Sequence, residues 1–291
     1  MLPTHTGVLT ADDGTPLAWQ VWDSDNPPRA SIVFLHGGAE YGRRYPRLIT
    51  ALVSCGWAVV APDLRGHGRS GGRRGGLKRF SDYLDDLALI LDLARRRGGG
   101  VPLFLVGYSL GGLISASYSL TRVADGELAG LVLIAPALGP GDKAPSAVFG
   151  AARVMSLIAP WLPVFRMPVD SMMSDPAVLA AYKADPLVHH GFFTARLIGE
   201  FTAVMRAVPN EIPKLGTPLL VVHGDADVTA HPQRSRDLVG AATVIDKTLL
   251  TYPGMRHDVC NEPGGEQVII DITRWVAARV CYKPEPPAGM V

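Results

Sequence analysis

The chain has 291 residues, 47% of them hydrophobic and 19% charged, enough to bury a large core within one unit. Its 28 basic and 27 acidic residues leave a net charge of +1, which excludes an electrostatic case for nucleic acid or an acidic polymer. Three widely spaced cysteines without a CxxC argue against a disulfide framework and a zinc site, and no metal or organic cofactor is implied.

Leu17 to Trp22 reads as an early strand, and Ser31 to Leu35 as a buried one that ends at His36-Gly37-Gly38. Tyr45 to Cys55 has helical period, and Trp57 to Ala61 is the next strand. Ser81 is placed to cap a helix running to about Arg97, with acidic residues near its start and Arg95 to Arg97 near its end. Pro102 to Val106 is a strand followed at once by a glycine-rich turn and a helical stretch. Gly130 to Ala135, Thr217 to Val222 and Lys247 to Tyr252 are further strands, and Glu266 to Val280 is an amphipathic helix. Continuous apolar strands alternating with helices imply a mostly parallel sheet covered on both faces.

Residues 138–216 break the rhythm. No strand is evident there, and Ala144 to Phe165 is apolar almost throughout. The segment reads as a helical cap inserted between core residues 1–137 and 217–291. The Pro-rich tail after Tyr282 reads as disordered.

Gly107-Tyr108-Ser109-Leu110-Gly111 fits G-x-S-x-G between a buried strand and a helix. That context defines an α/β-hydrolase fold with Ser109 as nucleophile on a sharp turn. Side chains at Gly107 and Gly111 would collide with the neighbouring strand and helix. A serine needs a base, and the base an orienting carboxylate, in the chain order Ser, acid, His. His257 lies in a loop between the last strand and the last helix, at the same sheet edge as the turn, whereas His231 is expected to open a surface helix. Asp225 and Asp227 both follow the Thr217 strand. Asp227 extends further towards a loop-borne histidine, and Asp225 is expected to stabilise the turn. Asp258, adjacent to His257, is not expected to orient it. The tetrahedral oxyanion needs two backbone donors, for which Gly38 and Leu110 are the candidates. His36 is expected to hold its loop by a hydrogen bond.

His36 to Tyr45 resembles the HGxxEHxxRY pattern of the monoacylglycerol lipase family, and Asp63 to Gly72 is similar to its D-x-R-G-H-G-x-S-x-G. Gly107 to Gly112 parallels its GHSMGG, and Gly224 to Asp227 and Tyr252 to Glu262 match its acid and histidine segments. Asp175-Pro176 and Asp185 to His190 extend the resemblance into the insertion, so that it covers nearly the whole chain, and it is strongest to bacterial members. Two departures are Tyr41 and Tyr108, each standing where the family has histidine. The resemblance implies Ser109, Asp227 and His257 as the triad, supports Asp227 over Asp225, and implies Gly38 and Leu110 as the oxyanion donors. It implies that Glu40 and Arg44 shape a polar substrate-binding pocket near the glycerol end. The Asp63 segment reads as a structural turn beneath the site.

The expected activity is hydrolysis of monoacylglycerol to glycerol and fatty acid through an acyl-enzyme. The alternatives are a lysophospholipase or general carboxylesterase, and, in a different class, a non-catalytic hydrolase-fold binding protein. Val148, Val154, Met155, Leu157, Ile158, Trp161, Leu162 and Phe165 are each available to pack on the core, line an acyl tunnel or touch a membrane, with Pro160 and Pro163 interrupting the helix. No apolar run reaches the roughly 18 residues of a membrane span, and no signal peptide is evident. The expected partner is thus a lipid-like ester, and the expected location cytoplasmic, with the cap as the point of any peripheral membrane contact.

Overall fold

Along the buried strands, successive side chains point into two different apolar layers. In β3 (Ser31–Leu35), Ile32 and Phe34 enter one cluster and Val33 and Leu35 the other. The computed structural model describes residues 1–124, 126–139 and 146–280, and only the backbone of 146–148. The side chain of Val148 and the Pro-rich tail therefore lie outside the described residues.

β3 is preceded by β1 (His5–Thr10) and β2 (Pro16–Trp22) and followed by β4 (Ala58–Pro62), β5 (Leu103–Tyr108) and β6 (Gly130–Ile134). Two short strands, β7 (Pro163–Phe165) and β8 (Phe193–Thr194), pair with each other in the inserted segment. The chain then returns to the sheet with β9 (Leu219–Gly224) and β10 (Lys247–Tyr252). Among the described residues the sheet order is β1-β2-β4-β3-β5-β6-β9-β10, parallel from β4 to β10 and antiparallel at the β1-β2 edge.

The helices are α1 (Pro46–Ser54), α2 (Ser81–Gly98), α3 (Leu110–Thr121), α4 (Ser146–Ile158), α5 (Pro176–Ala184), α6 (Ala195–Glu211), α7 (Pro232–Ala241) and α8 (Gly265–Val280). Residues of α1 and α8 share a cluster with Ile32 and Phe34, and residues of α2 and α3 share the other with Val33 and Leu35. Both faces of the parallel strands are thus covered, and the crossovers leave the strands' C-terminal ends free to carry loops. No helix among the described residues is long and apolar enough to cross a membrane.

Three local outcomes differ from the sequence reading. β1 was not expected: it is an edge strand with a largely exposed, polar sequence, so it lacks the apolar run that marks a buried strand. β7 and β8 are two or three residues long, too short for any periodicity. Ser81 is the first residue of α2 and makes no capping bond. Instead the Phe80 amide donates to Glu200 of α6 at 2.8 Å, a partner 120 residues away. His231 does open α7, its ring nitrogen accepting from the Gln233 amide at 3.1 Å.

Candidate active site

β5 ends at Tyr108, and α3 begins at Leu110. Ser109 between them has φ 51° and ψ −109°, a left-handed conformation that a serine adopts only under constraint. The constraint is visible in the backbone: the Ser109 amide donates to Ile134 at 2.8 Å, and its carbonyl accepts from Ala137 at 3.0 Å. Packing enforces it further. A Cβ on Gly107 would run into the Gly111 carbonyl, and one on Gly111 into the Leu35 carbonyl, so strand and helix meet at closest approach. Two other non-glycine residues with positive φ, Ala39 (71°) and Ala135 (42°), lie in the loops flanking this turn.

The His257 and Asp227 side chains converge on Ser109. The Ser109 hydroxyl donates to His257 Nε2 at 2.9 Å, and His257 Nδ1–H donates to Asp227 Oδ2 at 2.6 Å. All three residues are buried. Asp227 Oδ1 accepts from the amides of Thr229 (2.7 Å) and Ala230 (3.1 Å). Burial opposes its ionisation, but the His257 charge and the hydrogen bonds from His223 and His257 outweigh it, so Asp227 stays well below the usual carboxylate range. Burial likewise favours neutral His257, yet Asp227, Asp258 and Glu40 raise its proton affinity above that of a free imidazole. Asp225 sits elsewhere, its carboxylate accepting from the Gly254 amide at 2.7 Å and tying two loops together.

His223, on β9, was assigned no role from sequence. Its Nε2 lies 3.0 Å from Asp227 Oδ2 and 2.9 Å from the Ala230 carbonyl, and its Nδ1 lies 2.7 Å from Ser235 Oγ. A histidine inside a buried strand reads as core. Its spacing of four from Asp227 spans a strand end and a turn, so it carried no periodic signal.

Leu110 opens α3, so its amide belongs to the first turn, which has no intrahelical acceptor. Gly38 faces it: a Cβ there would be 3.9 Å from the Leu110 Cβ. Both residues line one pocket with Ser109 and His257. His36 braces that loop, accepting the Leu64 amide on Nε2 (2.9 Å) and donating from Nδ1 to the Gly37 carbonyl (2.7 Å). Burial pushes its pKa down to about 4, which keeps the neutral tautomer that both bonds require. Asp63 accepts the Gly42 and Arg69 amides at 2.9 and 2.8 Å, making a turn under the site.

Glu40 and Arg44 are not among the residues that line this pocket. They form a buried ion pair at 2.7 Å, with Arg44 also 3.4 Å from Asp258 and stacked 4.4 Å from the centre of the Tyr182 ring. Glu40 also accepts from the Tyr45 hydroxyl. Two carboxylates thus share one guanidinium, and burial followed by repulsion from Glu40 raises the Asp258 pKa to about 6. Tyr108 lies against His257 with ring centres 5.3 Å apart. Among the described residues, no group of three His, Cys, Asp or Glu could hold a metal ion.

The pocket at Ser109 measures about 700 Å³ including its open mouth. Beyond Ser109 and His257 its walls are mostly apolar, with Phe149, Phe165, Met167, Phe193, Ile198 and Phe201 supplied by the inserted segment. No carboxylate lines it among the described residues. Three other apolar residues of α4 face away from it: Val154, Leu157 and Ile158 are 57%, 75% and 74% exposed. Trp161 and Leu162 continue this outward rim, and Arg73 of the core stacks 4.7 Å from the centre of the Trp161 ring.

A mostly parallel sheet with a strained serine turn, a buried imidazole and an ionised carboxylate in one hydrogen-bonded chain defines an α/β-hydrolase of the serine type. The family model described as "Serine aminopeptidase, S33" matches residues 26–264. The chain is 36% identical to the monoacylglycerol lipase of Mycolicibacterium smegmatis over 92% of its own length and 95% of that protein's. It is 31% identical to the human monoglyceride lipase, over 93% of this chain and 90% of that one. The crystal structure of a monoacylglycerol lipase from Paleococcus ferrophilus superposes with a TM-score of 0.82 at 30% identity, covering 90% of this chain and 99% of that one. The chain belongs to this serine hydrolase family and, within it, to the monoacylglycerol lipases that its motifs resemble.

Proposed function

We propose that the chain hydrolyses the carboxylic ester of monoacylglycerol to glycerol and a fatty acid. The observation that carries this reading is a hydrogen-bonded Ser109–His257–Asp227 chain opening onto an apolar pocket. His257 Nε2 takes the Ser109 proton as Oγ attacks the ester carbonyl. The resulting oxyanion is held by the Gly38 and Leu110 amides. The His257 imidazolium, stabilised by Asp227, then protonates the departing glycerol oxygen, leaving the acyl group on Ser109. Water, deprotonated by the same imidazole, attacks the acyl carbonyl, and collapse of the second intermediate returns the proton to Ser109 and releases the fatty acid.

The pocket suits an acyl chain because each methylene it desolvates contributes about 0.8 kcal/mol. An aminopeptidase substrate would instead bring an α-ammonium group, and the described pocket walls offer no carboxylate to pair with it. Glu40 and Arg44 are read as setting the electrostatics behind His257 and the polar end of the site. The segment between β6 and β9 acts as the cap. Its inner face grips the acyl chain, and its outer rim of Val154, Leu157, Ile158, Trp161 and Leu162 rests on the lipid surface from which substrate is drawn.

A fluorophosphonate probe should label the wild type and spare Ser109→Ala, and that variant should lose about 10⁶-fold in kcat on a monoacylglycerol. Near wild-type turnover by Ser109→Ala overturns the mechanism. An unlabelled wild type leaves a binding protein on a hydrolase fold. Preference for lysophospholipids or short p-nitrophenyl esters over every monoacylglycerol moves the substrate class but keeps the chemistry.

A further inference from the structure

We infer that His223 is a positioning residue of the reaction, a second imidazole that shares the Asp227 carboxylate with His257 and sets the basicity of the base. The inference rests on the reading of Ser109, His257 and Asp227 given above. Nε2 of His223 faces two acceptors, Asp227 Oδ2 at 3.0 Å and the Ala230 carbonyl at 2.9 Å. It must therefore carry a hydrogen, whatever the charge of the ring. Asp227 Oδ2 consequently accepts two imidazole N–H bonds, and Oδ1 two amide bonds. This leaves the carboxylate no freedom to rotate away from His257.

His223 is fixed in turn. It is fully buried on β9, and Ser235 of α7, also fully buried, holds Nδ1 from the other side at 2.7 Å. Three elements, β9, the loop after it and α7, are thus locked around one carboxylate. The arrangement has an electrostatic consequence. Each hydrogen bond to Oδ2 withdraws charge that would otherwise stabilise protonated His257. Without His223, Asp227 would bind the His257 proton more tightly, and the base would be neutral only at higher pH. The same loss would let the carboxylate turn, misaligning Nε2 with Ser109.

The test compares His223→Leu, which removes the donor, with His223→Gln, which keeps an amide N–H on a side chain of similar reach. In His223→Leu, kcat should fall about tenfold to a hundredfold, the value of one hydrogen bond to a charged group, with KM little changed. The acid limb of kcat/KM should move up by roughly half a unit or more, and the downfield proton resonance of His257 Nδ1–H should move further downfield. His223→Gln should recover most of both shifts. Among the described residues, the other charged or titratable groups acting on His257 and Asp227 are Asp258, Glu40 and Tyr108, with Arg44 paired to the first two, and none is altered by these substitutions. If His223→Leu fails to fold, Ser235→Ala should give the same shifts in smaller measure. A folded His223→Leu with unchanged kcat, acid limb and resonance overturns the inference. So does a fall in kcat without any shift in the limb or the resonance, since packing alone would explain it. These outcomes are separate from failure of the mechanism itself, which Ser109→Ala reports.

Discussion

At the C-terminal edge of the sheet, Asp227 takes four hydrogen bonds on two oxygens, and the neighbouring Ser109 is held at a positive φ by backbone bonds on either side. In the inserted segment, α4 is held to α6 by small and apolar contacts: Phe149, Ala152 and Ser156 form its inner stripe, and a Cβ on Gly199 would lie 2.9 Å from that of Ser156. The first region fixes atoms to within a hydrogen bond because reaction geometry demands it. The second fixes only which face is wet and which is dry, which suffices for the flexible acyl chain we propose it holds. Substitutions in the first region should therefore act on kcat and on folding, and substitutions in the second on substrate range and surface contact.

The largest effect after loss of Ser109 is expected at the acid. Asp227→Asn should cost about 10⁴-fold in kcat by forcing the wrong imidazole tautomer. Asp225→Asn should cost little in kcat, since that carboxylate accepts from the Gly254 amide across a loop and makes no hydrogen bond to His257. Steady-state kinetics on both variants checks the pair, and the reverse ranking would move the role to Asp225. Next, Gly111→Ala should destabilise the fold by about 1–3 kcal/mol, because its Cβ meets backbone that cannot step aside. Thermal denaturation measures this, and an unchanged Tm would show that the strand-to-helix contact is looser than it looks.

The pH profile probes the same edge with smaller changes. In the proposed mechanism His257 accepts the serine proton only when neutral, and its proton affinity is raised above the ordinary value near 6.5. Activity should therefore be lost as pH falls through a midpoint above ~6.5. Asp227 is held well below the usual carboxylate range, so it remains ionised across this range and adds no limb of its own. Asp258, raised to about 6 and one of the charges that favour protonated His257, titrates close to the same limb. Asp258→Asn should move the midpoint down, opposite to His223→Leu. A shift in the same direction for both would contradict the charge-sharing account.

The two regions were not equally legible in the sequence. Ser109, His257 and Asp227 each sit in a short local pattern whose glycines and strand context carry mechanical meaning, and so the geometry could be expected from a few residues. His223 could not, because nothing local separates a histidine that binds a carboxylate across a turn from one packed in a strand. The Glu200 carboxylate at the start of α2 was invisible for a related reason: its partner is 120 residues distant. In α4 the difficulty was different. Apolar residues occur around the whole helix, so periodicity could not say that Phe149 faces the pocket while Leu157 and Ile158 face out. That choice is made by Gly199 and Ser156, which let α6 approach one side closely.

The mildest chemical effect, and the sharpest separation of the two regions, is expected on the outer face of α4. Leu157 and Ile158 are exposed and line no part of the pocket, so a charge there should leave Ser109 and its partners untouched. If the rim rests on lipid, it does so by burying these side chains and Trp161, and an aspartate would have to be desolvated in their place. Leu157→Asp should therefore weaken flotation with phospholipid vesicles and slow hydrolysis of vesicle-borne monoacylglycerol, while kcat/KM for a short soluble ester stays within about twofold, the ordinary range for a surface substitution. Phe201→Ala, on the inner wall, should do the opposite: vesicle association stays intact, and the preference for long over short acyl chains shrinks. Equal vesicle binding by wild type and Leu157→Asp would reduce the outer face to an exposed apolar surface without a lipid partner. Equal loss of soluble-ester activity in both variants would mean that the cap is not divided into two working faces, and that its packing supports the catalytic edge as a whole.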